Sequence, residues 1–277
     1  MGARDIIRGL ALWPETPQVD PIRAGYTNEN FRVAVAGSVY FARASGDLPH
    51  HGISRANEAR CAGMAAEAGI APELVHARDG VLVTRFVEGR ALRLGEATPV
   101  TTLVALGRLL AEVHRLPALP ELPEVDLAGA LRTYLSRPGS HRLGTRDRKR
   151  IEALLADAPA PSPECFVHGD PFPENFIDDG RRLWLVDWEY AGRGSAEDDL
   201  AYLAMNLELP DDGILALVDA HGGPVDANAV RALLPVAAAR DILWCLSEIE
   251  TRGITEELAV YTRQCCERMG IEELELP

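Results

Sequence analysis

Val167-His-Gly-Asp-Pro-Phe-Pro-Glu-Asn-Phe176, followed by Leu185-Val-Asp-Trp-Glu-Tyr-Ala-Gly192, is the stretch on which the reading of this chain turns. Phe176-Ile177 and Leu183-Trp-Leu-Val186 are apolar runs, and Asp178-Asp-Gly180 between them signals a turn, so the segment predicts a hairpin. Closing it returns the end of the second strand to the loop before the first, so that Asp170, Asn175 and Asp187 converge. Two carboxylates and an amide oxygen are hard ligands suited to Mg²⁺, which keeps some waters and shares its shell with phosphates. One carboxylate can instead stay off the metal and take a proton from an attacking hydroxyl.

Each fragment has a plain alternative. His-Gly-Asp is common in turns, and an Asp after an apolar strand can simply cap the next helix. The ordered set H-G-D-x-x-x-x-N, hairpin, then strand-end Asp is far more specific. It matches the kinase arrangement of a catalytic-loop Asp, an Asn metal ligand five positions on and a strand-end Asp metal ligand. Phosphoryl transfer is the chemistry it predicts.

The whole chain sets bounds on this reading. Its 277 residues suit two lobes of unequal size. With 28 basic and 42 acidic side chains the net charge is −14, which argues against nucleic acid or an anionic membrane as a main partner. A cationic substrate would be drawn to such a field, although solubility alone explains it equally well. Cys61, Cys165, Cys245, Cys265 and Cys266 form no C-x-x-C pair and no zinc spacing. Scattered thiols, no leader-like N-terminus and no bilayer-length apolar run lead to the expectation of a cytoplasmic protein. Lys149 is the only lysine.

In chain order, a short helix within residues 1–18, ended by Trp13-Pro14, precedes strands over 19–24, 31–36 and 39–44, with Gly37-Ser38 as a hairpin turn. The loop Gly25-Tyr-Thr-Asn-Glu-Asn30 between the first two strands is an ordinary turn by itself. Beside a kinase-like site, Gly25, Thr27, Asn28 and Asn30 become candidates to meet phosphate oxygens. On the third strand, where a kinase presents lysine to the α- and β-phosphates, the only candidate is Arg43. A helix over 54–69, capped by Ser54, carries Glu58 on its first turn; Glu58 either pairs with Arg43 or answers the helix dipole. Two further strands (73–77 and 81–86) end at Phe86-Val-Glu-Gly89, after which helical patterns dominate. The expected boundary is therefore 1–88 and 89–277, with the nucleotide base bonding near Val87 and Glu88. Helices are expected over 98–116, with Thr98 as cap and Pro99 in the first turn, over 127–135, from about 147, and over 195–207, 210–220, 226–252 and 255–269. Trp244 and Glu248 share a helix face, an arrangement that suits a quaternary ammonium ligand but equally suits core packing.

These residues together resemble the choline/ethanolamine kinase family, within the group that also holds aminoglycoside phosphotransferases and thiamine kinases. The resemblance rests on Arg43, the G-Y-T-N turn, H-G-D-x-x-x-x-N and D-W-E-Y-A-G, and it spans most of residues 20–205. It implies an α+β, bilobal protein-kinase-like fold with a small antiparallel-sheet N-lobe and a larger helical C-lobe, using ATP and Mg²⁺. Carried over, Asp170 is the base, Asn175 and Asp187 the metal ligands, Arg43 the phosphate contact, and Asp199 a brace beneath the catalytic loop. Arg43 in place of lysine leans toward choline kinases, Gly169 toward aminoglycoside enzymes, and D-W-E-Y-A-G toward thiamine kinases. The expected acceptor is a small cationic alcohol, choline or ethanolamine first, with Glu189, Trp244 and Glu248 facing it. Thiamine and aminoglycosides stand as alternatives, and a catalytically silent nucleotide-binding regulator as the rival of another class.

Overall fold

The computed structural model describes residues 2–22, 28–94, 98–160, 164–271 and 274. Gly25 and Thr27 lie outside the described residues, as does the end of the first expected strand. The chain divides into two compact units, one comprising residues 1–93 with 174–191, the other 94–173 with 192–277.

In the first unit, α1 (Ala3–Arg8) precedes β1 (Gln18–Ile22), β2 (Asn30–Val35) and β3 (Ser38–Ala44). Then come α2 (Arg55–Glu67), β4 (Leu74–Arg78), β5 (Val81–Arg85) and β6 (Arg90–Ala91). The main sheet is antiparallel in the order β1-β2-β3-β5-β4. Strand alternation explains its two faces. Val33, Ala42 and Val83 point to a core closed by Ile7 of α1, while Arg43, next to Ala42, points to the opposite face.

Several local details differ from the sequence expectations. The first helix ends at Arg8, well before Trp13-Pro14. The β2–β3 turn is Ala36-Gly37, one residue earlier than Gly37-Ser38, because Val35 pairs with Ser38. Both turn residues have positive φ (47° and 75°), as the tight hairpin turn that matches strand twist requires. Ser54 occupies the cap position of α2, yet its hydroxyl makes no capping bond; the Arg55 N–H instead donates to Asp47 Oδ1 at 2.7 Å, a charged and stronger acceptor.

The second unit contains α3 (Val100–Val113), α4 (Leu127–Leu135), α5 (Thr145–Asp157) and β7 (Cys165–Val167). Pro99 stands at the cap of α3, not in its first turn. The hairpin β8 (Phe176–Asp178) and β9 (Leu183–Leu185) follows in sequence but belongs to the first unit. There β6 pairs with β8, the Leu185 N–H donates to Ile70 O at 3.2 Å, and a Cβ on Gly89 would meet Asp178 O at 2.5 Å. These short-range ties separate the units after Arg93 rather than at residue 88, and make the first unit discontinuous. Back in the second unit, β10 (Gly192–Gly194) pairs with β7. Four helices follow: α6 (Ala196–Asn206), α7 (Asp211–His221), α8 (Ala227–Arg252) and α9 (Glu256–Met269). The 26-residue α8 is apolar on most sides and packs against α4, α6 and α9, as a helix central to its unit should. No helix among the described residues is long and apolar enough to cross a membrane.

Candidate active site

The first unit carries a charge cluster built from β3, α2 and the segment after β9. Arg43, 3% exposed, forms an ion pair with Glu58, and its Nη1 lies 3.5 Å from Glu189 Oε2 and 3.8 Å from Asp187 Oδ1. Burial works against the Arg43 cation, but Glu58, Asp187 and Glu189 outweigh it and raise the guanidinium pKa. Arg55, for which the sequence suggested no role, is the second buried cation. Its Nη1 bonds Glu58 Oε2 at 2.9 Å and Glu189 Oε2 at 2.7 Å, and its Nη2 bonds Asn28 Oδ1 at 3.0 Å. Asn28 donates in turn to Glu189 Oε2 at 3.1 Å. The usable signal was Arg55 and Glu58 three apart on one helix face.

Glu189 therefore departs from expectation. It is buried among Arg43, Arg55 and Asn28 rather than facing an acceptor, because the unanticipated Arg55 claims its carboxylate. Asn30 stands directly across the ladder from Arg43. Val87 and Glu88 lie between β5 and β6; Glu88 is exposed, 3.6 Å from Arg32.

The hairpin sets the other pair. Because Phe176 faces Leu185, the residues beyond them, Asn175 and Val186, also meet, and the Val186 N–H donates to Asn175 O at 3.0 Å. Asn175 is thus tied to the residue preceding Asp187. Asp187 has φ 68°, a left-handed backbone that a non-glycine residue adopts at a cost. Its side chain is 40% exposed. Carboxylate oxygens of Glu58, Asp187 and Glu189 lie within 4.8 Å of one another. Two of them are committed to arginines, so a divalent ion would be taken by Asp187 and not by the triad. A half-exposed carboxylate beside an amide-bearing neighbour is a donor set that fits Mg²⁺.

The catalytic-loop segment belongs to the second unit. After β7, Gly169 takes a left-handed φ of 77°, and the buried Asp199 carboxylate accepts the N–H groups of His168 (2.8 Å) and Gly169 (2.9 Å). Burial tends to raise the Asp199 pKa, yet the His114 bond and the nearby histidines hold it below the usual range. His114 Nε2 lies 3.1 Å from Asp199 Oδ2, His114 Nδ1 lies 2.9 Å from His221 Nε2, and the Gly223 N–H donates to His221 Nδ1 at 3.2 Å. With His221 Nδ1 accepting, the row runs in one direction: His221 Nε2 donates to His114 Nδ1, and His114 Nε2 donates to Asp199. Burial, with His114 adding to it, takes His221 down to about 4.

Asp170 itself bonds Arg240 Nη1 at 3.2 Å. Arg240 also bonds Asp241 Oδ1 at 3.1 Å and lies over the Tyr202 ring at 4.7 Å. Trp244, one turn after Arg240, is half-buried; Glu248 is buried, with Arg252 Nη1 at 3.3 Å. Burial pushes the thiols of Cys61 and Cys165 up to about 12, which keeps them protonated and unsuited to nucleophilic work.

The geometry agrees with comparison to known proteins. Residues 18–234 match the model of the phosphotransferase enzyme family. No curated protein sequence matches the chain. Among solved structures, a choline/ethanolamine kinase family protein from Mesorhizobium loti is similar at 24% identity and TM-score 0.72, covering 96% of this chain and 92% of that one. The choline kinase LicA from Streptococcus pneumoniae is similar at 19% identity and TM-score 0.74, covering 92% of this chain and 95% of that one. The spectinomycin phosphotransferase APH(9)-Ia, in complex with ADP and spectinomycin, is similar at 12% identity and TM-score 0.68, covering 98% of each chain. At these identities the structures establish a kinase-like α+β fold, and the family match establishes the rest: the chain belongs to the phosphotransferase enzyme family and is a small-molecule phosphotransferase.

Proposed function

We propose that the protein transfers the γ-phosphate of ATP to the hydroxyl of a small cationic alcohol, choline or ethanolamine. The observation that carries the phosphoryl-transfer part is the pairing at the hairpin's open end. Asn175 is tied beside Asp187, and the Arg43 guanidinium lies 3.8 Å from the Asp187 carboxylate. A fixed cation next to a half-exposed hard anion suits a phosphate chain and its metal. Asn175 and Asp187 would hold Mg²⁺, which supplies charge neutralisation on the phosphates. Arg43, fixed by Glu58, would meet phosphate oxygens, with Asn28 and Asn30 nearby on β2 and the loop before it. Asp170 orients the acceptor hydroxyl and takes its proton as the oxygen attacks. Positioning and electrostatics carry the reaction, and no covalent intermediate on the protein is needed.

The cationic acceptor is supported by the net charge of −14 and by the choline and ethanolamine kinases among the similar structures. Trp244, half-buried on α8, is the candidate face for the ammonium group, with Glu248 one turn on. A phosphate-transfer screen with ATP and Mg²⁺ over choline, ethanolamine, thiamine and aminoglycosides tests the reading. Turnover of the first two is expected. Preference for thiamine or an aminoglycoside would replace the acceptor, and ATP binding with no turnover of any alcohol would favour the silent regulator. Asp170→Asn should keep ATP binding while kcat falls by on the order of a hundredfold or more, the usual scale of general-base loss.

A further inference from the structure

Arg240 is buried, and its partners come from three places in the second unit. Its Nη1 is shared between Asp241 Oδ1 at 3.1 Å and Asp170 Oδ1 at 3.2 Å. The Tyr202 ring of α6 lies beneath the guanidinium at 4.7 Å. Asp241 is fixed in turn by two phenols: Tyr202 donates to Oδ1 at 3.1 Å and Tyr261 of α9 to Oδ2 at 2.8 Å. Arg240, Asp241, Tyr202 and Tyr261 are each at most a few per cent exposed.

Neutralising one buried cation requires one carboxylate, and Asp241, the next residue, already supplies it. The contact to Asp170 is additional. It joins a rigid network of α6, α8 and α9 to the carboxylate expected to act as base. The ties from Asp199 hold only the loop's backbone, at the N–H groups of His168 and Gly169. They do not act on the Asp170 side chain. A base must reach its proton within about 2.6–3.2 Å, and an error of about 1 Å costs on the order of a hundredfold in rate. A planar guanidinium locked by a carboxylate and an aromatic face can fix a carboxylate's direction, which the flexible ammonium of lysine cannot.

We infer that Arg240 is a positioning residue for Asp170, holding Oδ1 so that the carboxylate faces the acceptor hydroxyl, with Asp241, Tyr202 and Tyr261 as its rigid support. This inference rests on Asp170 being the base. The sequence carried a trace of it in Arg240-Asp241, a charged pair inside the otherwise apolar run of residues 232–246.

The test compares Arg240→Lys with the double variant Arg240→Met/Asp241→Asn, which removes both charges and so leaves no unpaired ion in the core. Steady-state kinetics with ATP and the best acceptor are run beside thermal melts, and Arg240→Lys is repeated in an Asp170→Asn background. The double variant is expected to lose tenfold or more in kcat with KM for ATP within twofold, and Arg240→Lys to recover part of the loss. In the Asp170→Asn background Arg240→Lys should cost nothing further, since residues acting through one another are non-additive. The inference is overturned if either folded variant keeps kcat within twofold of wild type, or if Arg240→Lys costs the same factor with and without the Asp170 carboxylate. Normal turnover by Asp170→Asn alone would be a different failure, that of the base assignment itself.

Discussion

The charge cluster of the first unit and the catalytic-loop network of the second both bury acidic groups, but they hold them with opposite chemistry. Glu58 and Glu189 face two guanidinium groups, so ions are balanced by ions. Asp199 is held by two backbone N–H groups and the imidazole of His114. Where ion answers ion, removing one partner strands the other in a poorly solvated place. Where neutral donors answer the acid, removing one leaves the rest in place and mainly changes direction and protonation. The first cluster should therefore be fragile toward charge deletion, and the second should register pH.

The largest expected effect tests the first half of that contrast. Glu58→Gln leaves Arg43 and Arg55 short of a counter-charge and should cost about 3–5 kcal/mol of unfolding free energy in urea denaturation. Asp199→Asn, whose amide oxygen can still accept an N–H, should cost less than Glu58→Gln. Equal losses would break the comparison.

Next comes His221. Its imidazole stays neutral in the fold down to about 4, against 6.5 in the unfolded chain. A lowered histidine contributes stability that is fully present above pH 6.5 and is lost as pH falls toward 4. The ceiling is about 3 kcal/mol, at roughly 1.36 kcal/mol per pH unit. Denaturation midpoints between pH 7 and 4 should slope downward in the wild type and flatten in His221→Gln, whose amide can still donate to His114. An unchanged slope in the variant would remove His221 as its source.

Trp244→Ala is expected to raise KM for a trimethylammonium alcohol about thirtyfold, the equivalent of about 2 kcal/mol for a desolvated cation–π contact, while leaving KM for ATP alone. Ethanolamine should suffer less, since it can still donate hydrogen bonds. Lower thermal stability with every KM unchanged would assign Trp244 to packing.

The smallest effect has the reverse pH sign. Burial pushes Asp198 up to about 7 although the Leu127 N–H donates to it at 3.1 Å. A raised carboxyl stabilises below its unfolded value near 3.8 and loses that contribution as pH climbs through 7. Asp198→Asn keeps an acceptor for Leu127 and should add about 1 kcal/mol at pH 8, with the gain vanishing near pH 4. Thermal melts at the two pH values measure it. A gain of equal size at both would show that ionisation of Asp198 is not the cause.

Much of this was readable from residues alone. A helix over Leu127–Leu135 required only local patterning, and the structure places it there, with the Gly129 N–H donating to Asp126 Oδ1 at its start. The Arg43–Glu58 pair was one of two readings of Glu58, and the structure makes it. Arg55 and Arg240 were not assigned, because each finds its partner far along the chain. Arg55 meets Glu189 134 residues on, and Arg240 meets Asp170 70 residues back. Periodicity says which face of a helix is polar but not which distant acid will answer it.

The sequence by itself determined the chemistry available: two carboxylates and an amide at kinase spacing, one arginine on the third strand, and elements whose caps and turns are local. Only the tertiary structure decided how those groups are used. It turned Glu189 inward, because Arg55 reaches it at 2.7 Å, and it set Arg240 against Asp170. The physical reason is that a buried charge takes whichever partner the packed backbone brings within about 3 Å, and that choice is made by the whole fold rather than by any window of residues.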